Sequence, residues 1–403
     1  MNALEKLLAG ARDAWPKATR QDALKLAQTL ELPGRRTDGW RLTDLAALYA
    51  QQFVPSGESA QPEIEAYKIP DTSRIVFVDG RYSEALSEIR QDEAVSVSPL
   101  GLEDQSLHEH FGANPDMDVF AALNTAHFED CAWVKVKGEA TYPVHVLHVG
   151  TGKGSAHHPR CVVQLAPNSR ATLIEQHVGL GLSNATTEIE IGDHAGLKHV
   201  VVQQQDESAF HIGRSFVKLH QGSSFEAVSL SLGSRLSRYE QKVAMTKPGA
   251  SVTLHGLSLT DGRQVSDSQT RIDHLAPDCV SLQHHKCIAD GASSAVFSGN
   301  VVVHKGASGT NSNQSSRNLL LSGRAKIDAQ PQLEILNDDV SCKHGATVGQ
   351  IDPEELFYLK SRGLDEPDAR RMLICAFAAE IVDHVSVKPL REALNGTLYG
   401  RLA

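Results

Sequence analysis

Residues 248–308 read PGASVTLHGLSLTDGRQVSDSQTRIDHLAPDCVSLQHHKCIADGASSAVFSGNVVVHKGAS. Short runs of alternating character, VTLHGLSL and AVFSGNVVVHKG among them, are separated by small-residue corners: PGAS, APDC, DGAS and KGAS. Alternation is the period of a strand, not of a helix. The corners continue outward, with PNSRA near 169, GDHAG near 194, QGSS near 222 and SGRA near 323. Successive gaps are about 25, 28, 27, 29, 13, 15 and 17 residues, a period near 27 that halves toward the end. Such a repeat marks a solenoid whose coils each turn two or more corners. A coil buries its faces only when neighbours lie above and below it, so small residues recur at the corners and β-branched ones on the walls. The reading is a mainly β fold built on a parallel β-helix. A sandwich is the alternative, but its turns fall roughly every 8–12 residues with hairpin dipeptides, and these are scarce here.

Before the repeat, apolar positions at helical spacing in residues 1–30 predict two short helices, parted at Pro16 and ended by Pro33-Gly34. TDGWRLTDLAALY (37–49) offers Thr43 or Asp44 as a helix cap. RIVFVDGRYSE (74–84) reads as a strand, an Asp-Gly turn and a return strand. Residues 101–112 and 117–128 read as helices, with His108 and His110 solvated. The predicted division is a mostly helical domain over 1–130, a β-helix over 131–345 and a helical domain over 346–403.

A formal charge of −10 excludes a scaffold that neutralises phosphates, so no nucleic acid is expected. No apolar run reaches the length of a membrane span, and the first residues read as an amphipathic helix, not a leader. Six scattered cysteines (131, 161, 279, 287, 342 and 375) contain no CxxC, which points to a reduced, cytoplasmic protein. GTGKGSAHHP (150–159) lacks the spacing of a phosphate-cradling loop. His157-His158 and His284-His285 are adjacent pairs that face opposite ways on a strand, and they are read as polar residues of the outer wall. Cys287 is read as an interior thiol packed as a small hydrophobe.

Chemistry concentrates where the repeat ends, in PQLEILNDDVSCKHGATVGQIDPEELFYLKSRG (331–363). Cys342 and His344 stand two apart on a strand and project to one face, a thiol and an imidazole suited to a soft or borderline metal. Two donors do not close a site, since about four are usual, so the remaining ligands would come from elsewhere, another chain included. Ordinary packing with a polar tip is the plainer reading of the same pair. Asp352, Pro353 and Gly363 supply the cap, first position and stop of a helix. The next helix carries Met372, Leu373, Phe377 and Ile381 in a wide apolar stripe that two helices alone cannot bury. The stripe packs on the end of the solenoid or docks another protein, and with Phe357 these residues form the candidate partner-docking face.

The run LEILNDDVSCKHGATVGQIDPEELFYLKSRGL, followed by AFAAEIV, resembles the SufB/SufD family of iron–sulfur cluster assembly proteins, and its SufD members most. WRLTDL (40–45), VFVDGRYS (76–83) and NLLLSGRAKIDAQPQLEI (318–335) carry the likeness over nearly the whole chain. SufB members read differently across 342–349. They also hold a cysteine just before the NLLL segment, where this chain reads SSRNLLL. The resemblance implies a right-handed β-helix between helical domains, pairing with a SufB-like paralogue through the β-helix and with a SufC-like ATPase through the C-terminal helices. It implies that His344, and with less definition Cys342, meets iron or a nascent cluster at the SufB–SufD interface. No cofactor would be held stably by this chain alone, and the chain would not itself be an enzyme. Two other classes stay open on the residues: a structural homodimer with an inert Cys-x-His pair, and a β-helix enzyme acting on acidic polysaccharide. The second wants clustered carboxylates at one rung, and these are scattered.

Overall fold

Two long sheets, one of 11 strands and one of 10, run side by side, and the chain winds between them. Val265–His274 lies in the first, Val280–Ala289 in the second, and Ser294–Val303 back in the first. This computed structural model describes residues 5–8, 17–56, 61–99 and 117–401. Among the described strands pairing is parallel except at two antiparallel pairs, Ser73–Val78 with Arg81–Tyr82 and Val95–Pro99 with Ala132–Val136. The result is a parallel β-solenoid of about eight coils with helices at both ends of the chain. The expected helix over 101–112, with His108 and His110, lies outside the described residues.

Register explains the corners. Phe210 pairs with Leu236, Val265 with Ser294 and Ser294 with Lys326, so one coil takes 26 to 32 residues. Backbone with positive φ recurs along one ridge at Asn168, His194, Gly222, Gly249, Asp278 and Gly309, and a second ridge passes through Gly262 and Gly291. Asn, Asp and Gly are the residues that tolerate this region best. The halved period beyond residue 278 is therefore no shortening of the coils. There the second ridge, at DGAS and SGRA, shows its own small residues between those of the first.

Within each coil the inward positions of the two sheets meet in a core that includes Val146, Val163, Ile189, Val217, Val243 and Ile272. The outer faces are covered as well. Trp40, Leu45, Leu48, Phe53 and Phe120 pack on Leu182, Phe210, Ile212 and Leu236 of the 11-stranded sheet. On the 10-stranded sheet, Ile374, Ala378, Ile381 and Val385 pack on Val200, Val228, Leu257 and Ile288. The molecule is thus four layers deep where the helices lie. The solenoid draws strands 73–78 and 95–99 from the segment read as a mostly helical domain, and its last strand runs to Gly349.

Local expectations fare well where turn chemistry is strong. Asp79 and Gly80 turn the 74–84 segment with φ of 50° and 84°, the signs a two-residue hairpin wants. Asp44 accepts the Ala46 N–H at 3.0 Å. Asp352 caps Pro353–Ser361 through the Glu354 N–H, and Gly363 follows at φ 96°. One expectation is corrected. His157, His158 and His285 are buried, not on the outer wall: His158 stacks on His127 of the covering helix Val119–His127, and His285 on Phe297 inside the coil. Cys287 is interior, against Ala295 and Phe297, as expected.

Candidate metal site at the open end of the solenoid

The 10-stranded sheet ends in Val340–Gly349 and the 11-stranded sheet in Lys326–Ile335, and among the described residues neither strand has a further neighbour. Both present a row of backbone N–H and C=O groups with no sheet partner. Cys342 is the ladder partner of Ser312, and His344 that of Gln314. On the penultimate strand, Ser312, Gln314, Ser316 and Asn318 point inward and are almost fully buried by the coil above. The same inward column continues through Cys342 and His344, but among the described residues no further strand lies above them. Cys342 is half-buried and His344 exposed.

Cys342 packs beside Val301, Val303, Ala307 and Leu333. Partial burial pushes its thiol above the ordinary range, while a hydrogen bond with the Ser312 backbone pulls it back. As a metal ligand it would start from the thiol form, with a proton to displace. Among the described residues, no three His, Cys, Asp or Glu side chains converge as a metal-binding group. Cys342 and His344 are on this chain an incomplete donor set.

A second histidine-rich region is one that sequence spacing missed, because its members come from separate coils. His148 and His177 stack with ring centroids 4.9 Å apart, and His211 lies 4.8 Å from His177. With His157 they are buried and keep ring nitrogens without hydrogen-bond partners among the described residues. Burial, then mutual repulsion, holds His148 well below the ordinary imidazole range.

The candidate docking residues divide. Phe357 is 73 % exposed and Met372 50 % exposed, while Leu373 is half-buried. Phe377 is half-buried, with the Lys286 ammonium 3.9 Å from its ring centroid and 2.9 Å from its carbonyl oxygen. Ile381 is fully buried against the solenoid, which corrects its place on an outward face. The sheet covers one side of the stripe, at Ile374, Ala378 and Ile381, and leaves Met372 exposed and Leu373 and Phe377 half-buried. Tyr358 and Tyr399, not picked out from the sequence, are exposed beside Phe357 and Met372 in the same set of helices.

The family model described as SUF system FeS cluster assembly, SufBD core domain, matches residues 148–377. An iron–sulfur cluster assembly SufBD family protein of Synechocystis is 32 % identical over 97 % of this chain and 92 % of its own length. The iron–sulfur cluster assembly protein SufD of Escherichia coli is 31 % identical over 92 % of this chain and 89 % of its own. A SufBD family protein of Mycobacterium leprae is 27 % identical over 90 % and 89 %.

Proposed function

We infer what this chain does from the family to which it belongs, the SufBD proteins of iron–sulfur cluster assembly. It is a SufD-like subunit that pairs with a SufB-like chain across the open end of the solenoid. It docks a SufC-like ATPase on the C-terminal helices and helps receive iron or a nascent cluster as cargo. The observation that carries this reading is the placement of Cys342 and His344 on the uncovered last coil. An incomplete donor set on an unpaired sheet edge is what a site shared between two chains requires. A covering chain would complete the ladder and bring the remaining sulfur ligands. His344 then supplies a neutral nitrogen and Cys342 a sulfur once its proton is displaced. The ATP-driven movement of the SufC-like partner enters through the helices 353–361 and 366–382, and hydrolysis belongs to that partner.

Purified chain mixed with SufB-like and SufC-like proteins should co-elute as one complex. Within it, His344→Ala should slow cluster assembly by about tenfold or more, in line with loss of a metal ligand or its support. Undiminished assembly by this variant sinks the ligand role. Replacing Phe357 with Asp places a charge on the exposed docking face, and should release the ATPase while leaving the SufB-like chain bound. If the wild-type chain elutes only as a pair of its own copies and ignores both partners, the structural homodimer takes precedence.

A further inference from the structure

Directly beneath His344 in the same inward column stands Gln314. It is 1 % exposed, and among the described residues neither its amide oxygen nor its amide nitrogen has a hydrogen-bond partner. Leaving such a group unpaired costs about 1–3 kcal/mol, so an amide at this position calls for an explanation. Across the interior lies Gly299, where an added Cβ would stand 1.8 Å from the Gln314 amide nitrogen. The absence of a side chain at Gly299 is what gives the amide its room. Beneath Gln314, its ladder partner Gln283 has its Oε1 occupied by the Thr270 hydroxyl at 2.7 Å, while its Nε2, like the Gln314 amide, is without a partner among the described residues.

Above the amide the choice of polar neighbours is narrow. By register, the inward side chains of the last coil include Ile327, Ala329, Pro331 and Leu333 on one sheet and Ala346 and Val348 on the other. All six are apolar. The polar members are Cys342, offset toward Ser312, and His344, which is the direct ladder partner of Gln314, roughly 4.8 Å away along the stacking direction.

We propose that Gln314 is a positioning residue for His344, its amide oxygen accepting the N–H of one imidazole nitrogen and leaving the lone pair of the other for iron. This rests on the reading of His344 as a ligand, and it supplies what a ligating imidazole almost always has, an acceptor that fixes its tautomer and orientation. It also accounts for an orphaned amide at the mouth of an otherwise apolar last coil, and for the glycine that makes space for it.

Three variants of the full-length chain test the idea: Gln314→Leu, Gln314→Glu and Gly299→Ala. Tautomer populations are read by long-range proton–nitrogen NMR on ring-labelled histidine, with His344 identified by its loss in His344→Ala. Cluster assembly is measured in the complex with SufB-like and SufC-like partners. In the wild type His344 should hold one dominant tautomer. Gln314→Leu should mix the tautomers and slow assembly about tenfold, while thermal stability holds or rises because an unpaired buried amide has been removed. Gln314→Glu keeps an acceptor and should retain both the tautomer and most of the rate. Gly299→Ala moves the flexible amide end without deleting it and should give an intermediate loss. An unchanged tautomer in Gln314→Leu overturns the proposal. So does a loss of rate that merely tracks a loss of stability. If His344→Ala itself assembles clusters at the wild-type rate, the ligand reading falls and takes this role with it. If His344→Ala is deficient while Gln314→Leu is normal, the positioning role alone is overturned.

Discussion

Between pH 6.5 and pH 5 this protein should lose most of its folding stability. Burial pushes the imidazoles of His145 and His285 down to about 3 and those of His157 and His177 down to about 4. His148, His158 and His211 are pushed well down by the same cause and by neighbouring imidazoles or guanidinium groups. In the unfolded chain each returns to about 6.5. The unfolded state therefore binds more protons below that value, and stability falls as pH falls. The contribution is complete above pH 6.5 and continues to drain away until the folded-state values near 3 to 4 are reached. At pH 5, four such groups each favour unfolding by about 2 kcal/mol, on the order of 8 kcal/mol together. Against a typical total of about 5–15 kcal/mol, that is most of the margin. Thermal melts at pH 7.5, 6.0, 5.5 and 5.0 should show a steep, progressive drop. A melting temperature unchanged from 7.5 to 5.0 would refute the assignment of these rings as buried and neutral. His177→Gln should shallow the slope by about one proton.

The second large effect concerns the attachment of the N-terminal segment. Arg238 and Asp267 form an ion pair buried on the 11-stranded sheet, with side-chain exposures of 4 % and 0 %. The Thr43 hydroxyl donates to the same carboxylate, and Gln269 donates to its other oxygen at 2.6 Å. The Arg238 guanidinium lies 3.9 Å from the centroid of the Trp40 ring. Removing one member strands the other, so Asp267→Ala should cost about 3–5 kcal/mol, far above the effect of an exposed pair. Arg238→Met with Asp267→Leu should recover much of it, because neither charge is then left buried. Equilibrium denaturation of Arg238→Met, Asp267→Leu and the double variant gives the cycle, and limited proteolysis of residues 37–49 reports whether the segment has come loose. Similar losses in the single and double variants would refute the account.

Both effects depend on residues whose importance is invisible to spacing. His148, His177 and His211 lie about 30 residues apart and meet only because register sets successive coils in line. Corners are another matter. Each demands positive φ or a small side chain at the same point in every coil, so PNSRA, GDHAG, QGSS, PGAS and APDC repeat visibly and reveal the solenoid. The second ridge shows the same chemistry less regularly, which made one period look like two. The Cys342–His344 pair was legible because strand alternation puts both on one face. That the face is the uncovered end of the interior was not, since it depends on which coil is last. Ile381 shows the limit for helices. Its apolar stripe states that something covers it, but the same stripe suits a foreign protein and the chain's own sheet equally. Only the packing against Leu257, Leu259 and Ile288 decides for the sheet.

The uncovered last coil also bears on what stability means for this chain. In a solenoid each coil is held by its nearest neighbours, and total stability is close to a sum of coil and interface terms. Middle coils have two such interfaces, while the coil containing Lys326–Ile335 and Val340–Gly349 has one. Opening from that end therefore takes less free energy than opening from the middle, and its amides are the first to exchange with solvent. Any chain that seats on the end supplies the missing interface and stabilises the coil in proportion to the logarithm of its own concentration. The order of the Cys342–His344 strand is thus a quantity shared between this protein and any chain that seats on it, higher when the end is covered than when it is free.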